Sequence, residues 1–232
     1  MKFLYRSLPL IVFGSAISQA QNVIPAERLV DRLVQQARES GESSIGFPAQ
    51  SRDYPIVKSL NEALKLTVPI RLQVDRKKTS VSLDGNQLIT LYTVQTIENT
   101  AKVALSTLPP HLDDVLPRSA FSDLPEDRFY VLTHGGSLTI NGVLVSAPES
   151  PSALTIGAQY LLFVRLEHNR DNTLTRIATL PLGDASIYNY NTATDSLETP
   201  ASHENPELVK EVMSQTMSRL RTLSASRPFP NK

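Results

Sequence analysis

Apolar and polar residues change their rhythm once along this chain. From Asn22 to Ser40, Leu29, Val30, Leu33, Val34 and Ala37 recur every three or four positions, the spacing of an amphipathic helix. Pro25 suits its first turn and Ser40-Gly41 ends it. A loop rich in Ser, Gly and Pro (42–55) and a second helical stretch (56–66) follow. From Val68 the period becomes two: Ile70, Leu72 and Val74 alternate with Arg71, Gln73 and Asp75, as in a half-buried strand. Val81 and Leu83 lead to the turn Asp84-Gly85-Asn86. Leu88 to Ile97, dense in Ile, Val, Thr and Tyr, is a strong strand with mixed faces.

Residues 107–127 are rich in Pro and acids and read as a long excursion from the sheet. Phe129–Thr133 is a strand that runs into His134-Gly135-Gly136. Asn141-Gly142 between the runs 137–140 and 143–146 predicts a type I′ hairpin, because both central residues must take positive φ. Residues 160–166 and 174–180 form a further hairpin around the polar tip 168–172, and 187–190 a last strand. A polar linker (191–205) then leads through Pro206 into a C-terminal helix, 207–223. Its stripe of Leu208, Val212, Met213, Met217 and Leu220 reads as packing.

The expected fold is therefore α+β: an antiparallel β-barrel or sandwich over 68–190, flanked by a helical segment at 21–67 and the linker and helix of 191–232. Residues 1–20 stand apart. Lys2 and Arg6 precede an apolar run, Leu8 to Ile17, broken once at Pro9, and Ser18-Gln19-Ala20 places small residues at a cleavage site. This is the pattern of a secretory signal peptide; a membrane anchor is the alternative, and the short apolar run argues against it. The expected location is secreted or periplasmic, with no integral span once the leader is removed.

The thread of Ile89-Thr90-Leu91-Tyr92-Thr93-Val94, a strand ending in Gly135-Gly136, the Ile140-Asn141-Gly142 hairpin and Gly157-x-x-Tyr160-Leu161-Leu162-Phe163 is similar to a pattern in uncharacterised exported bacterial β-barrel proteins. It also resembles, distantly, the netrin-like modules of tissue inhibitors of metalloproteinases, which are OB-type barrels. The resemblance covers about 68–190 and implies a barrel alone. Those modules meet a protease metal through an N-terminal cysteine, and this chain has no cysteine.

That lack removes disulfides, thiol catalysis and thiolate zinc sites, so the core must hold the fold unaided. The 23 basic and 23 acidic residues balance, and loss of the leader tips the rest slightly acidic. Nothing in that balance draws the chain to nucleic acid. Among histidines (His111, His134, His168, His203) none has a metal-binding helical spacing. His111 with Asp113 and Asp114 is a conceivable composite site, though a solvated loop is the simpler reading. Asp123, Glu126 and Asp127 lack the order of a calcium loop. Arg76-Lys77-Lys78 reads as a solvated loop at a strand end. No cofactor or metal is expected.

His134 is the one catalytic candidate. A strand followed by His-Gly-Gly supplies oxyanion-hole amides in α/β-hydrolases, but the Gly-x-Ser-x-Gly nucleophile turn is missing downstream. A bulge permitted by Gly135 and Gly136 is the plainer reading. Paired-carboxylate glycosidase chemistry stays open, although the absence of Trp removes the usual sugar-stacking ring. The leading expectation is an exported non-catalytic β-barrel module that binds an extracytoplasmic protein or a surface ligand. Its rivals are a hydrolase using His134 with acids from 107–127, and a structural component of the envelope. Convergence of His134 and an acid in one concave pocket would favour the enzyme.

Overall fold

The computed structural model describes residues 28–48, 53–99, 115–168, 174–198, 205–215, 218–220 and 222. The leader and the first turns of the expected 22–40 helix lie outside them. In chain order the elements are α1 (Leu29–Ser40), β1 (Ser44–Gly46), α2 (Leu60–Leu66), β2 (Val68–Val81), β3 (Leu88–Asn99), β4 (Arg128–Ile140), β5 (Val143–Ser150), β6 (Gln159–His168), β7 (Leu174–Thr179), β8 (Ile187–Asn191), β9 (Ser196–Glu198) and α3 (Pro206–Met213). Short 3-10 turns occupy Arg118–Ala120 and Gly183–Ser186.

Local chemistry sets most of these bounds. Gly41, at φ 73°, closes α1 with a Schellman pair, its N–H reaching the Arg38 carbonyl while that of Glu42 reaches Ala37. Ser59 caps α2 by accepting from the Glu62 amide, which starts that helix later than the predicted 56. Asn141 and Gly142 both take positive φ, 50° and 84°, as the hairpin reading requires.

All nine strands join one mixed sheet ordered β1-β5-β4-β3-β2-β6-β8-β9, with β7 paired to both β4 and β6. The path β4-β3-β2-β6-β7 thus returns to β4 as a ring of five strands. Four of its pairings are antiparallel, and β4–β7 is parallel. A ring with an odd number of strands cannot alternate direction all the way round, so one pairing must be parallel. The expected purely antiparallel sheet is corrected on this point, and again at β1–β5, which is also parallel.

Four further expectations are corrected. Arg76, Lys77 and Lys78 lie inside β2, because its pairing with β3 continues past a bulge at Asp75 to Val81↔Leu88. The 42–55 loop contributes β1 to the edge beside β5, and the 191–205 linker contributes β9, brought back onto β8 by a turn in which Asn191 Oδ1 accepts from the amides of Ala193 and Thr194. The C-terminal helix is interrupted after Met213, where Ser214 and Gln215 turn before a helical stretch at 218–220; Met217 lies outside the described residues.

The core has four parts, and they explain why β3 and β6 are apolar on both faces. One face of the ring gathers Ile70, Leu72, Tyr92, Phe129, Val131 and Leu162, all buried. Over the other face lie three covers. Helices α2 and α3 pack together on Leu161, Phe163 and Tyr188. Helix α1 packs on Leu88, Val143 and Val145. Residues 115–124 fold back over Ile89, Leu91, Tyr130 and Leu132. The predicted excursion is, over its described part, a packed layer: Lys78 Nζ donates to the Ser119 carbonyl and Arg176 to those of Leu124 and Pro125. Each large side chain so buried contributes about 1.5–3 kcal/mol.

Two buried phenols make a pH prediction. Burial pushes both Tyr92 and Tyr188 well above the ordinary value of 10, with the Glu149 carboxylate adding to the shift of Tyr92. A raised folded pKa means that stability is complete below pH 10 and is lost as pH rises beyond it. Each phenol should remove up to about 1.4 kcal/mol per pH unit above 10. The Tyr188 hydroxyl is buried with no partner among the described residues. Tyr188→Phe is therefore expected to raise stability at neutral pH by about 1 kcal/mol and to flatten the alkaline slope, read from urea unfolding between pH 7 and 11. An unchanged slope would contradict this assignment.

Candidate functional site: a recess beside His134

His134 sits on β4 where the strand bulges. Pairing with β5 slips between His134↔Ser150 and Gly136↔Ala147. Gly135 and Gly136, at φ 86° and 109°, carry the bulge. Side chains occupy the space around Gly136, where a Cβ would stand 2.3 Å from Thr90 Oγ1 and 2.6 Å from Thr79 Oγ1. Those two hydroxyls bond each other at 2.9 Å, and Thr90 Oγ1 donates to the Gly135 carbonyl at 2.8 Å. The bulge reading of His134-Gly135-Gly136 is thus the observed geometry, held by threonines from β2 and β3.

The His134 side chain is 5% exposed and forms part of the wall of a recess of about 420 Å³. Strand register brings three of its lining residues together. Arg165 of β6 is opposite Thr179 of β7, and Thr179 is opposite Leu132 of β4, so the three form a row across the parallel pairing. His134 lies two residues further along β4, on the same face. Leu180, Pro181 and Pro151 also line it, as do Asp53, Tyr54, Pro55 and Leu66. Tyr54 is tied to β5 by a 3.2 Å hydrogen bond between its hydroxyl and that of Ser150, the cross-strand partner of His134. Two of the lining residues meet the Glu167 carboxylate: Thr179 Oγ1 donates to it at 2.8 Å, and the Arg165 guanidinium stands 3.5 Å from the same oxygen.

A second polar cluster lies beyond the bulge on β5. The Tyr92 hydroxyl donates to one Glu149 carboxylate oxygen, and Lys77 Nζ donates to the other. The same hydroxyl accepts from the Leu154 amide at 3.2 Å. Sequence reading missed Glu149, which lies 57 residues from Tyr92. The alternation of β3 places Tyr92 on the core face and so calls for a hydroxyl partner, but only tertiary structure names it.

Of the other acids named from sequence, the described ones do not line the recess. Asp123, Glu126 and Asp127 are exposed on the layer over β3 and β4, and Asp127 accepts from the Gln95 amide. None of the three lines the recess, whose acid is Asp53. His168 lies at the end of β6, and His111, Asp113, Asp114 and His203 fall outside the described residues. Among the described residues no group of three His, Asp or Glu is placed to hold a metal ion, and no helix is long and apolar enough to cross a membrane. No protein-family model matches the chain, and no curated protein matches it.

Proposed function

We propose that the chain is an exported, non-catalytic binding module built on a small OB-type barrel, and that the recess beside His134 holds an extracytoplasmic protein or surface ligand. Ring order supports the barrel. Numbering β2, β3, β4, β6 and β7 as first to fifth, the pairing runs 1-2-3-5-4-1 with the third and fifth parallel, and one face collects the apolar core. Barrels of this type commonly bind oligonucleotides or sugars on the face of their second and third strands. Here residues 115–124 cover that face. The observation that carries the proposal is a concavity whose lining combines charged groups with apolar side chains. The basic n-region, apolar run and small residues of 1–20 support secretion or a periplasmic location.

The hydrolase reading has one observation in its favour: His134 and Asp53 line the same recess. Capture from the extracytoplasmic fraction of the source organism separates the two. A partner retained by the wild type and by Leu144→Asp, a change at an exposed leucine on β5, but lost with Leu66→Asp or Arg165→Glu, supports the binding module. Ester or peptide hydrolysis that disappears in a folded His134→Gln variant overturns it.

A further inference from the structure

We infer that the open edge of β2 over residues 76–81 takes up an extended acidic segment of another protein by strand addition, at a surface separate from the recess. The edge arises where β2 outruns one of its neighbours. From Ile70 to Gln73 the strand pairs with β3 on one side and β6 on the other. The β6 side ends with Val74, whose amide donates to the Ala158 carbonyl and whose carbonyl accepts from the Gly157 amide. Beyond the bulge at Asp75, residues 76–81 go on pairing with β3 alone. Every second one of them turns its N–H and C=O away from β3. Among the described residues no other strand or backbone group takes those bonds. A row of open donors and acceptors on a strand already fixed in a sheet is a template for one more strand.

Charge selects the occupant. Arg76, Lys77 and Lys78 are all exposed. Glu149 neutralises Lys77, and Arg128 neutralises Asp75. Arg76 has no charged partner among the described residues, and Lys78 Nζ donates to the uncharged Ser119 and Ala120 carbonyls, at 2.8 and 3.5 Å. Two positive charges are left over, and the β3 residues opposite, Leu88 to Thr93, include no acid. Arg76 and Lys78 are two positions apart and share a face. A strand added here would set acids at its own alternate positions beside them, a favourable cross-strand pairing. A second copy paired antiparallel through the same edge would instead set basic residues against basic residues, so the charges select a foreign acidic strand over a dimer.

The test titrates the intact chain by anisotropy with three fluorescein-labelled peptides. One is Thr-Glu-Val-Glu-Val-Glu-Thr, the second has Gln for every Glu, and the third is the acidic peptide N-methylated at its three central residues. Methylation there strips donors from both edges and keeps every charge. The acidic peptide is expected to bind about fivefold or more tightly than the Gln peptide, and the methylated one no better than the Gln peptide. Arg76→Glu, which removes no described contact, should weaken the acidic peptide by about tenfold and leave the Gln peptide unchanged. Backbone amide shifts in the labelled protein should fall on residues 76–81. Equal binding of the acidic and Gln peptides overturns the choice of occupant. Equal binding of the acidic and methylated peptides overturns strand addition, since charge alone would then suffice. Absence of binding overturns the inference outright, as do shifts at the other sheet edges, Ser44–Gly46 and Ser196–Glu198, or at Arg165 and Thr179 of the recess. Shifts at 76–81 that follow protein concentration alone would assign the edge to a second copy and overturn it as well.

Discussion

Gly135→Ala is expected to destabilise the protein by about 4 kcal/mol, among the largest effects a single methyl group can have. Two causes add. Gly135 has φ 86°, a conformation that costs an L-residue on the order of 1 kcal/mol or more. The new Cβ would also stand 2.0 Å from the Pro148 carbonyl oxygen and 2.6 Å from its carbon. Those are backbone atoms, and they cannot retreat easily. Pro148 is followed by Glu149, fixed by Tyr92 and Lys77, and by Ser150, paired with His134. Gly142→Ala separates the causes, because Gly142 has nearly the same φ, 84°, with nothing within 4 Å of its Cβ position. That variant should lose only about 1 kcal/mol. Equal losses at the two glycines, measured by urea unfolding, would mean that the close approach of β5 to the bulge is wrong.

Glu149→Ala is the second large effect, about 3 kcal/mol. Its carboxylate is 9% exposed and accepts from both the Tyr92 hydroxyl and the Lys77 ammonium. Removing it leaves a phenol in the core and an ammonium over the Tyr92 ring, each without the acceptor it now has. Glu149→Gln keeps an acceptor for Tyr92 but gives up the charge and sets an amide donor against Lys77, so a smaller loss of about 1–2 kcal/mol is expected. Tyr92→Phe should fall between these, since it strands the Leu154 amide and takes one of the two donors from the carboxylate, which keeps Lys77. If Glu149→Ala matches Glu149→Gln, the hydroxyl bond carries no weight in the fold.

These two sites also mark what a sequence can and cannot disclose here. The bulge was legible, because two glycines after an apolar strand have few other uses. So was the Asn141-Gly142 hairpin, whose turn chemistry is complete in two residues. Ring closure was not, because the parallel β4–β7 pairing depends on only three register pairs between segments more than forty residues apart. Ser44–Gly46 and Ser196–Glu198 are too short and too polar to show a period; they become strands because β5 and β8 offer free edges. In the recess, none of the described acids from 107–127 stands beside His134. Its neighbours come from Asp53–Pro55 and from the ends of β6 and β7, and no local spacing joins those segments. Residues 115–124 were read as leaving the sheet because their prolines and acids hide Leu116, Phe121 and Leu124, the three side chains that return it.

The central claim is that the recess on β4, β6 and β7 is where this module meets its ligand. Mapping a general library of small fragments by backbone amide shifts in the isotopically labelled protein tests it most directly. Shifts concentrated at Tyr54, His134, Arg165 and Thr179 are the predicted result. Shifts concentrated instead where α1 faces the β4–β5 turn, at Gln35, Arg38 and Asn141, where a second hollow of about 420 Å³ lies, would contradict it.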